Sequence, residues 1–116
     1  MTYKIAVVLD KSRMNRIRGT NLENKVKDLY GGYLKVIEVE VPDELAKRIL
    51  GEFPRARIDA RGFIEEVPIA FKKELFESII RSGTGTQAIE EVLKPNVLTR
   101  IKEQASKEDE YLPPPK

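Results

Sequence analysis

The chain has 116 residues, with 21 Lys and Arg against 19 Asp and Glu for a net charge of +2, and it contains no Cys and no His. Those two absences exclude disulfides, thiolate nucleophiles, Ser-His-Asp and Cys-His catalysis, and zinc sites built on sulfur or imidazole. Any hydrolytic metal site must be an all-oxygen site for a hard cation.

The length fits one domain, able to bury a core without staples. A composition 41% hydrophobic and 34% charged reads as globular rather than disordered. No apolar run approaches the ~20 residues of a membrane span. The apolar stretch in "MTYKIAVVLDKS" is too short for a signal peptide and runs directly into an Asp. The expectation is a cytoplasmic protein with no membrane partner. Its Lys-, Glu-, Arg- and Ile-rich composition is thermophile-like.

The first element is a strand, Tyr3 to Leu9, a continuous apolar run with β-branched residues that fits burial on both faces. Asp10 to Gly19 has no clear period and reads as a loop. Thr20 with Glu23 forms a capping box opening a helix whose apolar face is Leu22, Val26 and Leu29, and Gly31-Gly32 ends it. A second strand covers Tyr33 to Val41, with Tyr33, Ile37, Val39 and Val41 on one face and Glu38 and Glu40 on the other. Pro42 suits a helix start, and Leu45, Ile49 and Leu50 give that helix its stripe. Residues 55–67 read as a hairpin turning at Ala60-Arg61-Gly62. A strong amphipathic helix follows, with Phe71, Leu75, Ile79 and Ile80 inward. A last helical region carries Ala88, Ile89, Val92 and Leu93, is interrupted at Pro95, and resumes with Val97, Leu98 and Ile101. Prolines at 42, 68 and 95 each precede an apolar helix; helix-opening proline explains this echo better than a repeat fold does.

Strand, helix and strand in succession predict a parallel βαβ unit with a right-handed crossover. The predicted fold is a small α/β or α+β domain over residues 1–105. It has a single-layer sheet begun by that unit, with the hairpin and C-terminal helices packed on it. Residues 106–116 form a flexible, charged, proline-ended tail. Val7, Val8, Ile37 and Val39 are the expected core of the sheet, with Leu75 and Ile79 packed over them.

Charge is asymmetric along the chain. Lys11, Arg13, Arg16, Arg18, Lys25 and Lys27 against Glu23 leave +5 within residues 11–27, and so −3 elsewhere. In a parallel sheet this segment lies at a strand's carboxyl end, where ligands gather, and arginine forks suit phosphate. Against it stands the reading of a solvated loop whose cations pair with Glu elsewhere. Arg55, Arg57 and Arg61 on the hairpin are a second basic candidate, set against cross-strand pairing with Glu65 and Glu66. "SGTGTQ", Ser82 to Gln87, comes within one residue of the phosphate loop of flavodoxins. It fails on spacing and follows a helix rather than a strand, so it reads as a helix end followed by a helix start. Asp10, Glu38, Glu40 and Asp59 are the acids a Mg²⁺- or Mn²⁺-dependent nuclease needs, with Asp10, Glu38 and Asp59 the metal-ligand candidates. Their plainer reading is a strand-ending Asp and a solvated sheet face.

The sequence therefore predicts a non-catalytic protein without cofactor that binds DNA, RNA or another polyanion through Lys11, Arg13, Arg16, Arg18, Lys25 and Lys27, extended by Arg55, Arg57 and Arg61. A homodimer is the default assembly, since two copies double a weak patch. The alternatives are an adaptor or antitoxin-like module docking through its tail and C-terminal helices, and a nuclease built on Asp10.

Overall fold

The computed structural model describes residues 2–111. Strand β1 (Thr2–Val8) leads into a short helix α1 (Lys11–Ile17). A 3₁₀ turn (Asn21–Lys25), strand β2 (Val26–Leu29) and the long strand β3 (Leu34–Pro42) follow. Helix α2 (Asp43–Glu52) precedes a hairpin of β4 (Arg57–Ile58) and β5 (Ile64–Glu65), and helices α3 (Ile69–Ser82), α4 (Thr86–Val92) and α5 (Pro95–Tyr111) complete the chain. No helix among the described residues is long and apolar enough to cross a membrane.

The architecture is mixed α+β, and the main sheet is antiparallel throughout, in the order β1-β3-β2. This corrects the expected parallel βαβ start. β1 pairs with β3 from Thr2↔Pro42 to Val8↔Val36, and β2 pairs with β3 from Val26↔Ile37 to Leu29↔Leu34. The physical reason lies in residues 20–32. Thr20 does cap, its side chain accepting from Leu22 N, but only a 3₁₀ turn forms. Val26 to Leu29 then pairs as a strand instead of continuing a helix. The glycines expected to end that helix turn a hairpin: Tyr30, Gly31 and Gly32 have φ of 52°, 66° and 93°, and Gly-Gly satisfies such a turn as well as a helix end. β1 and β2 point the same way but have β3 between them, so no parallel pair arises.

The predicted loop at Asp10 to Gly19 is also corrected. Asp10 caps α1, its carboxylate accepting from Arg13 N at 2.8 Å, which satisfies an otherwise orphan donor. A helix of seven residues shows too few turns to declare a period. Pro42, Pro68 and Pro95 stand at the starts of α2, α3 and α5.

β3 alternates from Ile37 onward, and Val36, on the outer face, is fully buried too. Ile37, Val39 and Val41 on its inner face are fully buried, with Ile5 and Val7 of β1 opposite. They join Ile49 of α2, Phe71, Leu75 and Ile79 of α3, Ile89 and Leu93, and Ile101 of α5 in one core. Two expected members of the inner set are misplaced. Val8 faces outward and is 39% exposed, and Tyr33 precedes β3 at the hairpin tip and is 91% exposed. Among the described residues, Ala88, Ile89, Val92 and Leu93 of α4 and its C-cap and Leu98 and Ile101 of α5 belong to the chain's own core. α5 continues to Tyr111, so the expected flexible tail starts on helical backbone, and residues 112–116 lie outside the described ones.

Candidate functional site

The basic segment divides into cations with partners and cations without. Arg13 donates from Nη1 to the Val8 carbonyl at 2.9 Å and lies over the Phe76 ring, 5.2 Å from its centroid. Arg16 lies over the same ring at 5.3 Å and grips Glu77 with both guanidinium nitrogens, Nη2 to Oε1 at 3.0 Å. That pairing holds the Glu77 carboxyl below its ordinary range. Together with fully buried Ile17, these contacts dock α1 on α3. They are the expected protein partners, not free forks. Lys27 bonds Glu38 at 3.0 Å. Lys11, Arg18 and Lys25 are exposed and have no ion pair among the described residues.

On the hairpin, the Asp59 carboxylate accepts from Arg61 N and Phe63 N, both at 2.9 Å, and so shapes the turn. The amide of Phe63 foremost, then the Arg61 side chain, hold its pKa below the ordinary value. Arg61 bonds the other Asp59 oxygen at 3.1 Å and lies 5.0 Å from the Phe63 centroid, and the neighbouring Tyr30 and Asp59 raise its pKa. Arg55 and Arg57 are exposed and without an ion pair among the described residues.

The candidate metal ligands are not brought together. Among the described residues no three acids are placed to hold a metal ion. Asp10 caps a helix, Asp59 shapes a turn, and Glu38 bridges Lys27 and Lys4, the latter at 3.7 Å. "SGTGTQ" ends α3 at Gly83, whose φ of 85° suits glycine, and leads into α4.

The outer face of the sheet holds what sequence reasoning missed. Across it run Lys4↔Glu40, Ala6↔Glu38 and Val8↔Val36↔Lys27. One end is polar. The other is apolar: Ala6, Val8, Leu29, Leu34 and Val36, with Phe63 and Ile64 of the hairpin, line a groove of about 140 Å³ rimmed by Tyr30, Arg61, Glu65 and Lys72. Burial beside this groove lowers the Lys72 pKa. The hairpin abuts β1 through Lys4 N to the Gly62 carbonyl at 3.0 Å.

At the groove's end Tyr30 is 63% exposed and Tyr33 91%. Tyr30 adopts φ of 52°, a left-handed conformation costly for a bulky residue. The signal in the sequence was that Leu34 and Val36 share the parity of Glu38 and Glu40, which makes the outer face half apolar.

No curated protein and no solved structure matches this chain. A family model does, over residues 3–93, a span that holds the sheet, the hairpin, the groove and both tyrosines. The chain belongs to the family of unknown function DUF6955.

Proposed function

We propose that this protein is a non-catalytic interaction module that binds another protein chain through the apolar end of its outer sheet face. The observation that carries this reading is an open apolar groove rimmed by Arg61 and the exposed Tyr30, with the more exposed Tyr33 three residues further along the same hairpin turn. Tyr and Arg are the residues that most often anchor protein interfaces. A tyrosine in a left-handed turn is strain of the kind that accumulates at functional surfaces. The adaptor reading thereby moves from the C-terminal helices to the sheet.

A photo-crosslinking residue at position 33, in the cell that makes the protein, tests it. An adduct of defined mass forms at 33 and not at Lys47 of α2, which is 75% exposed. An adduct of twice the chain mass identifies a second copy. Adducts equally frequent at both positions, or none at 33, overturn the reading.

A second reading keeps the polyanion. It is favoured by Lys11, Arg18, Lys25, Arg55 and Arg57, which lie on the surface without ion pairs among the described residues. Anisotropy with labelled duplex DNA and single-stranded RNA tests it across a salt series. Each phosphate contact adds about 0.9 to the slope on duplex DNA, and removing Arg18 and Lys25 flattens it. No binding at low salt ends this reading.

A further inference from the structure

β2 pairs only with Leu34 to Ile37, whereas β3 continues to Pro42. Beyond Ile37 the sheet therefore has a step. The 3₁₀ turn brings Lys25 to this step, the turn between α3 and α4 brings Thr84, and the first residue of α4 is Thr86. The result is a cleft of about 440 Å³ at the polar end of the outer face, within the range of small-molecule sites. Its chemistry is mixed. Lys4 and Lys27 both lean on the Glu38 carboxylate, at 3.7 and 3.0 Å, and that side chain is only 11% exposed. The three ammonium groups lining the cleft outnumber its two carboxylates by one, and Lys25 has no ion pair among the described residues. Glu40, directly opposite Lys4 across the strands, lines the same space.

Three ammonium groups and two hydroxyls suit a compact anion, because phosphate accepts several charge-assisted hydrogen bonds at once. Two carboxylates facing the same space disfavour an extended polyphosphate backbone. They suit hydroxyl groups, which donate to them. We propose that this cleft binds a small phosphate monoester that also carries hydroxyls, of the size of a sugar phosphate. Lys25, Lys27 and the two threonine hydroxyls hold the phosphate, and Glu40 receives the hydroxyls. The site lies apart from the apolar groove, and its occupancy does not depend on a protein partner.

Ribose 5-phosphate is the probe, titrated into the ¹⁵N-labelled full chain, with inorganic phosphate and ribose as comparisons. The expected result is saturable shifts at Lys25, Lys27 and Thr84 to Thr86, with affinity at least about tenfold above either comparison. Lys25→Ala with Lys27→Ala weakens binding by at least about tenfold, and Glu40→Gln reduces the margin over phosphate. An unchanged melting temperature verifies that each variant is folded, and Thr84→Val supplies a variant that leaves the ion pairs untouched. Absence of saturable shifts to ~10 mM overturns the proposal, and so does phosphate binding as tightly as the ester.

Discussion

On the inner face of the sheet Ile5, Val7, Ile37, Val39 and Val41 are fully buried, while on the outer face Val8, one residue beyond Val7, keeps 39% of its surface exposed. The inner residues touch helices and hold the fold together. The outer ones divide: Val36 is fully buried as well, whereas Val8 borders the groove shared with the hairpin and Tyr30. Strand alternation assigns side chains to faces, but it does not say which face a protein covers for itself and which it leaves for something else. The difference between the faces is energetic and can be broken by measurement.

The largest expected effect is on the covered face. Ile37→Ala removes a fully buried side chain from the central strand and costs about 2–5 kcal/mol in urea denaturation, by lost burial and the cavity left. Val8→Ala on the open face costs below about 0.5 kcal/mol, as surface changes do. Equal costs erase the distinction. Next comes Asp10→Ala, which unties α1 from its cap and costs about 0.5–2 kcal/mol. A neutral result shows that the Phe76 and Glu77 contacts hold α1 without it.

Tyr30→Gly sharpens the comparison in the opposite direction. Glycine relieves the left-handed strain at φ 52°, so stability rises by up to about 1 kcal/mol, or holds level, even as the aromatic anchor is lost. A clear loss shows that Tyr30 packs for the fold and not for a partner. The smallest effect is at Arg16 and Glu77, both more than 40% exposed and therefore worth little. Arg16 lowers the Glu77 pKa in the folded state. The stabilisation is thus present above the ordinary glutamate pKa of about 4.3 and is lost as pH falls through the depressed one. The stability difference between wild type and Arg16→Ala narrows as pH falls below the ordinary glutamate pKa and through the depressed one. A gap that stays constant with pH rules out the ion pair as its source.

Strong periodic patterns carried their information in the sequence. β3, α2, the hairpin and α3 stand where alternation, proline and the apolar stripes placed them. What was not legible depended on distant partners. Arg16 and Glu77 are 61 residues apart, and nothing local at "SRMNRIRG" reveals that its arginines lie on Phe76. Lys27 meets Glu38 only once β2 and β3 form a hairpin, and Gly31-Gly32 is compatible with either a helix end or that hairpin. The parallel unit failed for the same reason: direction and adjacency of strands are separate facts, and the inserted β2 decided the second. The antiparallel sheet also removes the carboxyl-end argument that singled out the basic segment.

The most direct test of the central claim, that the outer apolar end serves binding and not folding, is one variant read two ways. Val8→Glu places a carboxylate in the groove floor beside Arg61 and Lys72. The account predicts a melting temperature within about 2 °C of wild type, as a surface change of ~0.5 kcal/mol allows, together with loss of the adduct formed from position 33. A variant that melts many degrees lower, or one that keeps the adduct undiminished, contradicts it.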